Sequence, residues 1–340
     1  MSYLLAILGL AVLMVVHESG HHFVARAFGL RVLRFSIGFG PTIWKHQPRG
    51  SDTVYQVALV PFLAYVQVAG MNPFEENDPD DKGSYANASL TARIATVFAG
   101  PLANYVFASV LFFAAFITVG KPVTVSTVVR VMDGSAASLG EMRDGDKIVR
   151  IDDADIKNFE EMRQIILKNP SKELAIAVLR DEQALTLKVT PRPEGEKGGG
   201  VIGVRPRTTY EPMGFNEAFT ESLAKPALVV EGLVVGLGRV ITGREKPEVS
   251  GPVGIVKYGA DMVEAGAYEL LLFFGMLSAY LGGFNLLPIP ALDGGRLMFL
   301  GYEAVARRKP NAKVEAQIHA LGLIMFLALI AVVTLQDFQK

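Results

Sequence analysis

Two histidines one helical turn apart, with a glutamate between them, are the residues in this chain best suited to chemistry. His17-Glu18-Ser19-Gly20-His21 reads H-E-x-x-H, and on a helix the i, i+4 spacing sets both imidazoles on one face, where they can share a metal ion. The 340 residues include no cysteine, so thiolate sites and disulfides are excluded and any metal must be held by nitrogen and oxygen. Zinc suits two neutral imidazoles plus a carboxylate, with a fourth position for water, and Glu18 is placed to take a proton from that water. His22 adjoins the pair but points about 100° away around the helix and is left out of the site.

A third ligand is needed. Asp293, at the end of an apolar stretch, is the leading candidate, but Asp293-Gly294-Gly295 is also ordinary turn chemistry, and on residue pattern alone the two readings stand level. His46, in a polar loop, and His319, at the start of the last apolar stretch, are further donors that spacing does not exclude.

These residues need elements to hold them, and the composition says what kind. Half of the residues are hydrophobic and mean hydropathy is +0.32, an apolar surplus that makes a bilayer part of the solvent. The net charge of −1 gives no argument for nucleic acid. Four stretches reach the roughly 20 residues a spanning helix requires: 3–28, 94–119, 270–292 and 318–335. The first lacks a basic leader region and an Ala-x-Ala-like cleavage site, so it reads as a span and not as a signal peptide. Its polar cluster from His17 to His22 lies within the apolar run, where an ionised carboxylate costs about 2.5 kcal/mol or more and is therefore usually functional.

Arg26, Arg31 and Arg34 follow the first span, and Arg296, Arg307, Arg308, Lys309 and Lys313 lie between the third and fourth. The positive-inside rule turns both loops to the cytoplasm, both metal motifs toward that face, and both termini outward. Gly282-Gly283, Pro288 and Pro290 predict a break near the cytoplasmic end of the third span, where irregular backbone is tolerated beside a water-filled cavity.

Residues 121–207 read as a soluble α+β domain on the outer side. Strands are expected at 123–131 and 147–152, a helix at 158–167, a hairpin of 174–179 and 185–189 around Asp181-Glu182, and a linker at 191–200. This order resembles a PDZ domain. Between the first two spans, 35–40, 54–60 and 64–69 read as short strands, and 75–81 is acidic and solvated. Residues 213–241 carry apolar residues at helical spacing and read as a segment along the membrane surface. The expected order is helix one with H-E-x-x-H (1–30), a loop with membrane-associated strands (31–91), helix two (92–120), the PDZ-like insert (121–207), a linker and amphipathic segment (208–266), helix three (267–300), and a loop with helix four (301–340).

H-E-x-x-H in the first span, together with Asn285-Leu286-Leu287-Pro288-Ile289-Pro290-Ala291-Leu292-Asp293-Gly294-Gly295 in the third, resembles the site-2 protease family of intramembrane zinc metalloproteases, whose bacterial members include the regulator of sigma-E protease. Gly100-Pro101-Leu102-Ala103-Asn104 and Ser250-Gly251-Pro252-Val253-Gly254-Ile255 extend the likeness over almost the whole chain. The resemblance implies an α-helical polytopic membrane protein of about four spans, with a membrane-associated β-hairpin region and an inserted PDZ-like domain, in the bacterial inner membrane. It implies that His17, His21 and Asp293 bind Zn2+ and that Glu18 is the general base. It also implies that Asn285 holds substrate backbone, with Asn104 either doing likewise or packing two helices.

Its implied partners are membrane lipid and single-span membrane proteins, such as an anti-sigma factor or signal-peptide remnants, already trimmed by another protease. Where members often have Gly-Gly-Tyr-Val-Lys in a loop that presents an edge strand to the substrate, this chain has Leu63-Ala64-Tyr65-Val66-Gln67; the strands near Tyr65 to Val68 read either as that substrate-binding edge, with Tyr65 and Val66 on it, or as a plain structural hairpin covering the membrane entrance. A metal transporter built on the same ligands should show internal repeats, and none is found. A silent adaptor would have no need of the intact ligand and base set.

Overall fold

The computed structural model describes residues 1–72, 78–123, 127–194, 198–206, 209–245 and 250–337. Its elements fall into two compact units, residues 1–118 with 214–340 and residues 119–213.

The first unit opens with α1 (Ser2–Ala27), which carries no proline and ends before Gly29 at φ +76°. Strands β1 (Val32–His46) and β2 (Val54–Val68) follow, then α2 (Leu90–Thr118). The strands are longer than the three short segments expected, and they fold back on themselves. Phe35 pairs with Val66 on one side and with Tyr55 on the other, while Trp44 to His46 pair with Val57 to Tyr55. The arm 42–46 was not foreseen. The arm 64–68 is paired only with the start of β1 among the described residues and so forms an edge. The expected acidic stretch lies outside the described residues at 75–77, and Asp81 pairs with Arg31.

The second unit contains β3 (Lys121–Val123), β4 (Val129–Val131), α3 (Ala136–Leu139), β5 (Lys147–Ile151), β6 (Ala154–Asp155) and α4 (Phe159–Leu167). It continues with β7 (Leu174–Arg180), β8 (Gln183–Val189), β9 (Arg192–Glu194), β10 (Gly199–Val201), β11 (Val204–Pro206) and β12 (Thr209–Glu211). A four-stranded sheet runs β6-β5-β7-β8. Asp181 and Glu182, at φ +48° and +66°, form the two-residue turn that matches hairpin twist. Leu174, Ile176 and Val178 alternate inward on β7 against Ile148, Ile151, Met162 and Ile166. Asn158 caps α4 by accepting from the Glu161 amide. The linker expected at 191–200 is instead partly paired, β9 against β10, and the expected boundary Arg207 lies outside the described residues.

The first unit resumes with α5 (Phe215–Ile241), α6 (Pro252–Ala265), α7 (Ala267–Asn285), α8 (Asp293–Ala306) and α9 (Ala312–Asp337). Among the described residues four helices, α1, α2, α7 and α9, are long and apolar enough to cross a membrane. Leu4, Leu8 and Val12 on α1, Leu102, Val106 and Val110 on α2, and Leu321, Ile324 and Leu327 on α9 are exposed, a skin of large apolar side chains that lipid would cover. The chain is a polytopic membrane protein on these grounds.

Expectation and structure differ in one further place. The third span stops at Asn285, and a second helix begins at Asp293; Gly282 and Gly283 stay helical and buried, so the break falls at the prolines. The segment read as amphipathic at 213–241 is helical as α5, where Phe215 and Phe219 meet Phe113, and the Leu223 carbonyl accepts from Tyr105 Oη on α2.

Candidate active site

His17, Glu18 and His21 lie on the part of α1 that packs against α2, and two glycines set how close that packing is. A Cβ on Gly20 would stand 2.2 Å from the Ala99 carbonyl oxygen. A Cβ on Gly100 would stand 2.3 Å from His21 Nε2 and 2.9 Å from His17 Cε1. Only a bare backbone fits against the imidazole face.

Asp293 arrives from the far end of the chain. Pro288 and Pro290 prevent α7 from continuing. Ala291 takes φ +77°, Leu292 is extended, and Asp293 opens α8, where a helix N-terminus favours a carboxylate. Gly294 and Gly295 are pressed onto the preceding loop, with added Cβ atoms falling 2.1 Å from the Leu287 oxygen and 2.5 Å from the Ile289 oxygen. The Ala291 amide donates to His319 Nδ1 at 3.0 Å, and Arg93 on α2 holds Glu303 on α8 through a buried two-pronged ion pair, with Nη1 to Oε2 at 2.9 Å. Both contacts anchor the segment that carries Asp293.

The three side chains converge. His17 Nε2 lies 3.2 Å and His21 Nε2 3.3 Å from Asp293 Oδ2, and the two nitrogens are 3.2 Å apart. A tetrahedral ion with ligand bonds of about 2.0–2.1 Å spaces its ligand atoms about 3.3 Å apart. Asp293 Oδ2 is buried and, although near both rings, is aligned for a hydrogen bond with neither. The donors therefore aim at a common point, which is the geometry a metal ion needs, and their oxygen and nitrogen chemistry fits zinc. His21 is oriented from behind, its Nδ1 donating to the Thr96 carbonyl at 2.8 Å. His17 Nδ1 faces the Asn104 amide at 3.1 Å.

The other expected residues fall in distinct places. Glu18 is half-buried beside the donors and lies near Val66 of the β2 edge. Tyr65 adjoins on the same arm, its hydroxyl accepting from Gln56 at 3.2 Å. Asn285 ends α7, its amide nitrogen donating to the Leu281 carbonyl at 2.9 Å. His22 packs against the strands, its Nε2 3.1 Å from Tyr55 Oη. His46 is exposed at the end of β1, and His319 supports the loop at Ala291, so neither joins the cluster. A cavity of about 690 Å³ runs between the β2 edge and α8 and α9, with Tyr65, Val66, Arg93, Ala291, Arg296 and His319 in its walls. The Arg93–Glu303 pair and the Thr96 carbonyl were not found from sequence, since a backbone oxygen leaves no residue signature.

The family model of peptidase family M50 matches residues 5–329. The chain belongs to peptidase family M50, the site-2 protease family. Curated relatives span nearly the full length of this M50 peptidase. A candidate zinc metalloprotease of Nostoc sp. is 31% identical, covering 97% of this chain and 93% of its own. One of Agrobacterium fabrum is 30% identical over 98% and 94%. Zinc metalloprotease RasP of Geobacillus kaustophilus is 28% identical over 96% and 95%. The M50 peptidase is thus a membrane-embedded enzyme of the protease class, with a donor cluster able to hold a metal.

Proposed function

We propose that this M50 peptidase is a zinc endopeptidase that cuts the transmembrane segments of single-span membrane proteins within the bilayer, with His17, His21 and Asp293 as ligands and Glu18 as general base. The observation that carries the proposal is the convergence of three donor atoms, 3.2–3.3 Å apart, amid helices apolar enough to span a membrane. Zinc bound there supplies a Lewis acid that polarises a peptide carbonyl and acidifies water. Glu18, beside the donors but not among them, takes the proton from the attacking water and delivers it to the leaving amine.

A substrate helix hides its amides in its own hydrogen bonds and must be drawn out before hydrolysis. The edge arm 64–68 supports this step. An extended segment added there is held through main-chain bonds at Tyr65 and Val66, next to Glu18, with little demand on side chains. Asn285, at the end of α7, holds substrate backbone as well. The 119–213 unit is PDZ-like on this reading and faces outward, admitting proteins already trimmed by another protease or excluding bulky ones. Release is then toward the cytoplasm in a bacterial inner membrane, which suits an anti-sigma factor or signal-peptide remnants as substrates.

Glu18→Gln is the direct test. It preserves shape and the ligand set, so zinc content stays at the wild-type level while cleavage of a model transmembrane substrate falls by about 10²–10⁴-fold, as for loss of a general base. Turnover near wild type would remove Glu18 from the mechanism.

A further inference from the structure

Asn104 is fully buried on α2, in a helix where an unpaired polar group is expensive, yet its Oδ1 has no hydrogen-bond partner among the described residues. Its Nδ2 lies 3.1 Å from His17 Nδ1, and it is the only partner they give that nitrogen. The residue is also clamped. Ser278 Oγ donates to the Asn104 carbonyl at 2.9 Å, and a Cβ on Gly282 would lie 3.2 Å from Asn104 Cβ.

His21 Nδ1 donates to the Thr96 carbonyl, which leaves its Nε2 bare on the face shared with His17 and Asp293. For His17 Nε2 to be bare there as well, its proton must sit on Nδ1, and Nδ1–H then needs an acceptor. Among the described residues the group at that nitrogen is the Asn104 amide. The amide nitrogen cannot accept; its oxygen can, and a half-turn of the amide exchanges the two atoms with no change of shape.

We propose that Asn104 is a positioning residue whose side-chain oxygen accepts from His17 Nδ1–H and thereby fixes the metal-binding tautomer of His17. The proposal rests on the metal site advanced above. It assigns to Asn104 a role toward the ligand His17, and none toward substrate.

The test measures zinc affinity of the purified full-length protein in detergent, by competition with a chromophoric chelator, for wild type, Asn104→Leu, Asn104→Asp and Ser278→Ala. Asn104→Leu keeps the bulk and removes the acceptor, and is expected to weaken zinc binding 10–100-fold, the range for loss of such an outer partner. Asn104→Asp offers an acceptor in both orientations and retains affinity within a few-fold. Ser278→Ala removes the hydroxyl that holds the Asn104 carbonyl without touching the imidazole, and lowers affinity less than Asn104→Leu does. In parallel, ¹⁵N ring spectra of the five histidines in the zinc-loaded wild type are expected to show His17 protonated at Nδ1, a readout that holds even if a variant fails to fold. Wild-type affinity in folded Asn104→Leu, an Asn104→Asp loss as large as that of Leu, or zinc-loaded His17 without a proton on Nδ1 would each overturn the proposal. Absence of tight zinc binding in the wild type would instead overturn the metal site itself.

Discussion

Gly100→Ala is the substitution that asks most directly whether the imidazole face is a metal site. The added methyl would lie 2.3 Å from His21 Nε2, 2.5 Å from His21 Cε1 and 2.9 Å from His17 Cε1. Non-bonded heavy atoms rest at about 3.5 Å, so the nearest ligand atom must retreat by roughly 1 Å. Metal–ligand distances hold to about 0.2 Å, and the three donors can no longer meet at one point. We expect zinc affinity to fall at least about 100-fold, or about 2.7 kcal/mol. The assay is zinc content by mass spectrometry plus chelator competition on detergent-purified protein, with thermal unfolding as the check on folding. Gly9→Ala is the matched control. Its Cβ would be 2.0 Å from Phe274 Cζ, two turns away from the ligands on the same helix, so it should lower thermal stability and leave zinc affinity alone. A folded Gly100→Ala protein with wild-type affinity, or equal losses in both variants, would refute the reasoning.

Three further outcomes are expected. Glu303→Gln leaves Arg93 buried without its carboxylate and should cost about 3–5 kcal/mol, read as a large drop in unfolding temperature of the solubilised protein. In the second unit, burial raises the Asp146 carboxyl but the Arg180 guanidinium, bonded at 2.8 Å, outweighs it and holds it below the usual range. A carboxylate lowered by folding stabilises fully above its unfolded pKa of about 3.9 and loses that contribution as pH falls through its folded value. The stability gap between wild type and Asp146→Asn, followed by limited proteolysis of the full chain, should therefore be constant from neutral pH to about pH 5 and close below about pH 4. For the orientation, the cysteine-free chain allows single labels: Asp181→Cys should react with a membrane-impermeant thiol reagent on intact cells and Lys309→Cys should not, and the reverse pattern would invert the topology.

Much of this enzyme is local in origin and so was legible in order along the chain. The four spans follow from unbroken apolar runs, whose length is set by bilayer thickness. The meeting of His17 and His21 follows from the pitch of one helix, and the hairpin at Asp181-Glu182 from its turn. What lay between elements was not legible. Pattern left Asp293 level with an ordinary turn residue, and the resemblance to a family raised it above His46 and His319. The fold gives the physical reason, as the prolines stop α7, α8 restarts at Asp293, and Ala291 and Glu303 are tied to His319 and Arg93. The edge character of 64–68 depends on how β1 and β2 fold back, which alternation within one strand does not encode. The pairing of Asn104 with His17 joins residues 87 apart in sequence through a helix contact made possible by glycine, and contacts of that kind exist only once the helices have packed.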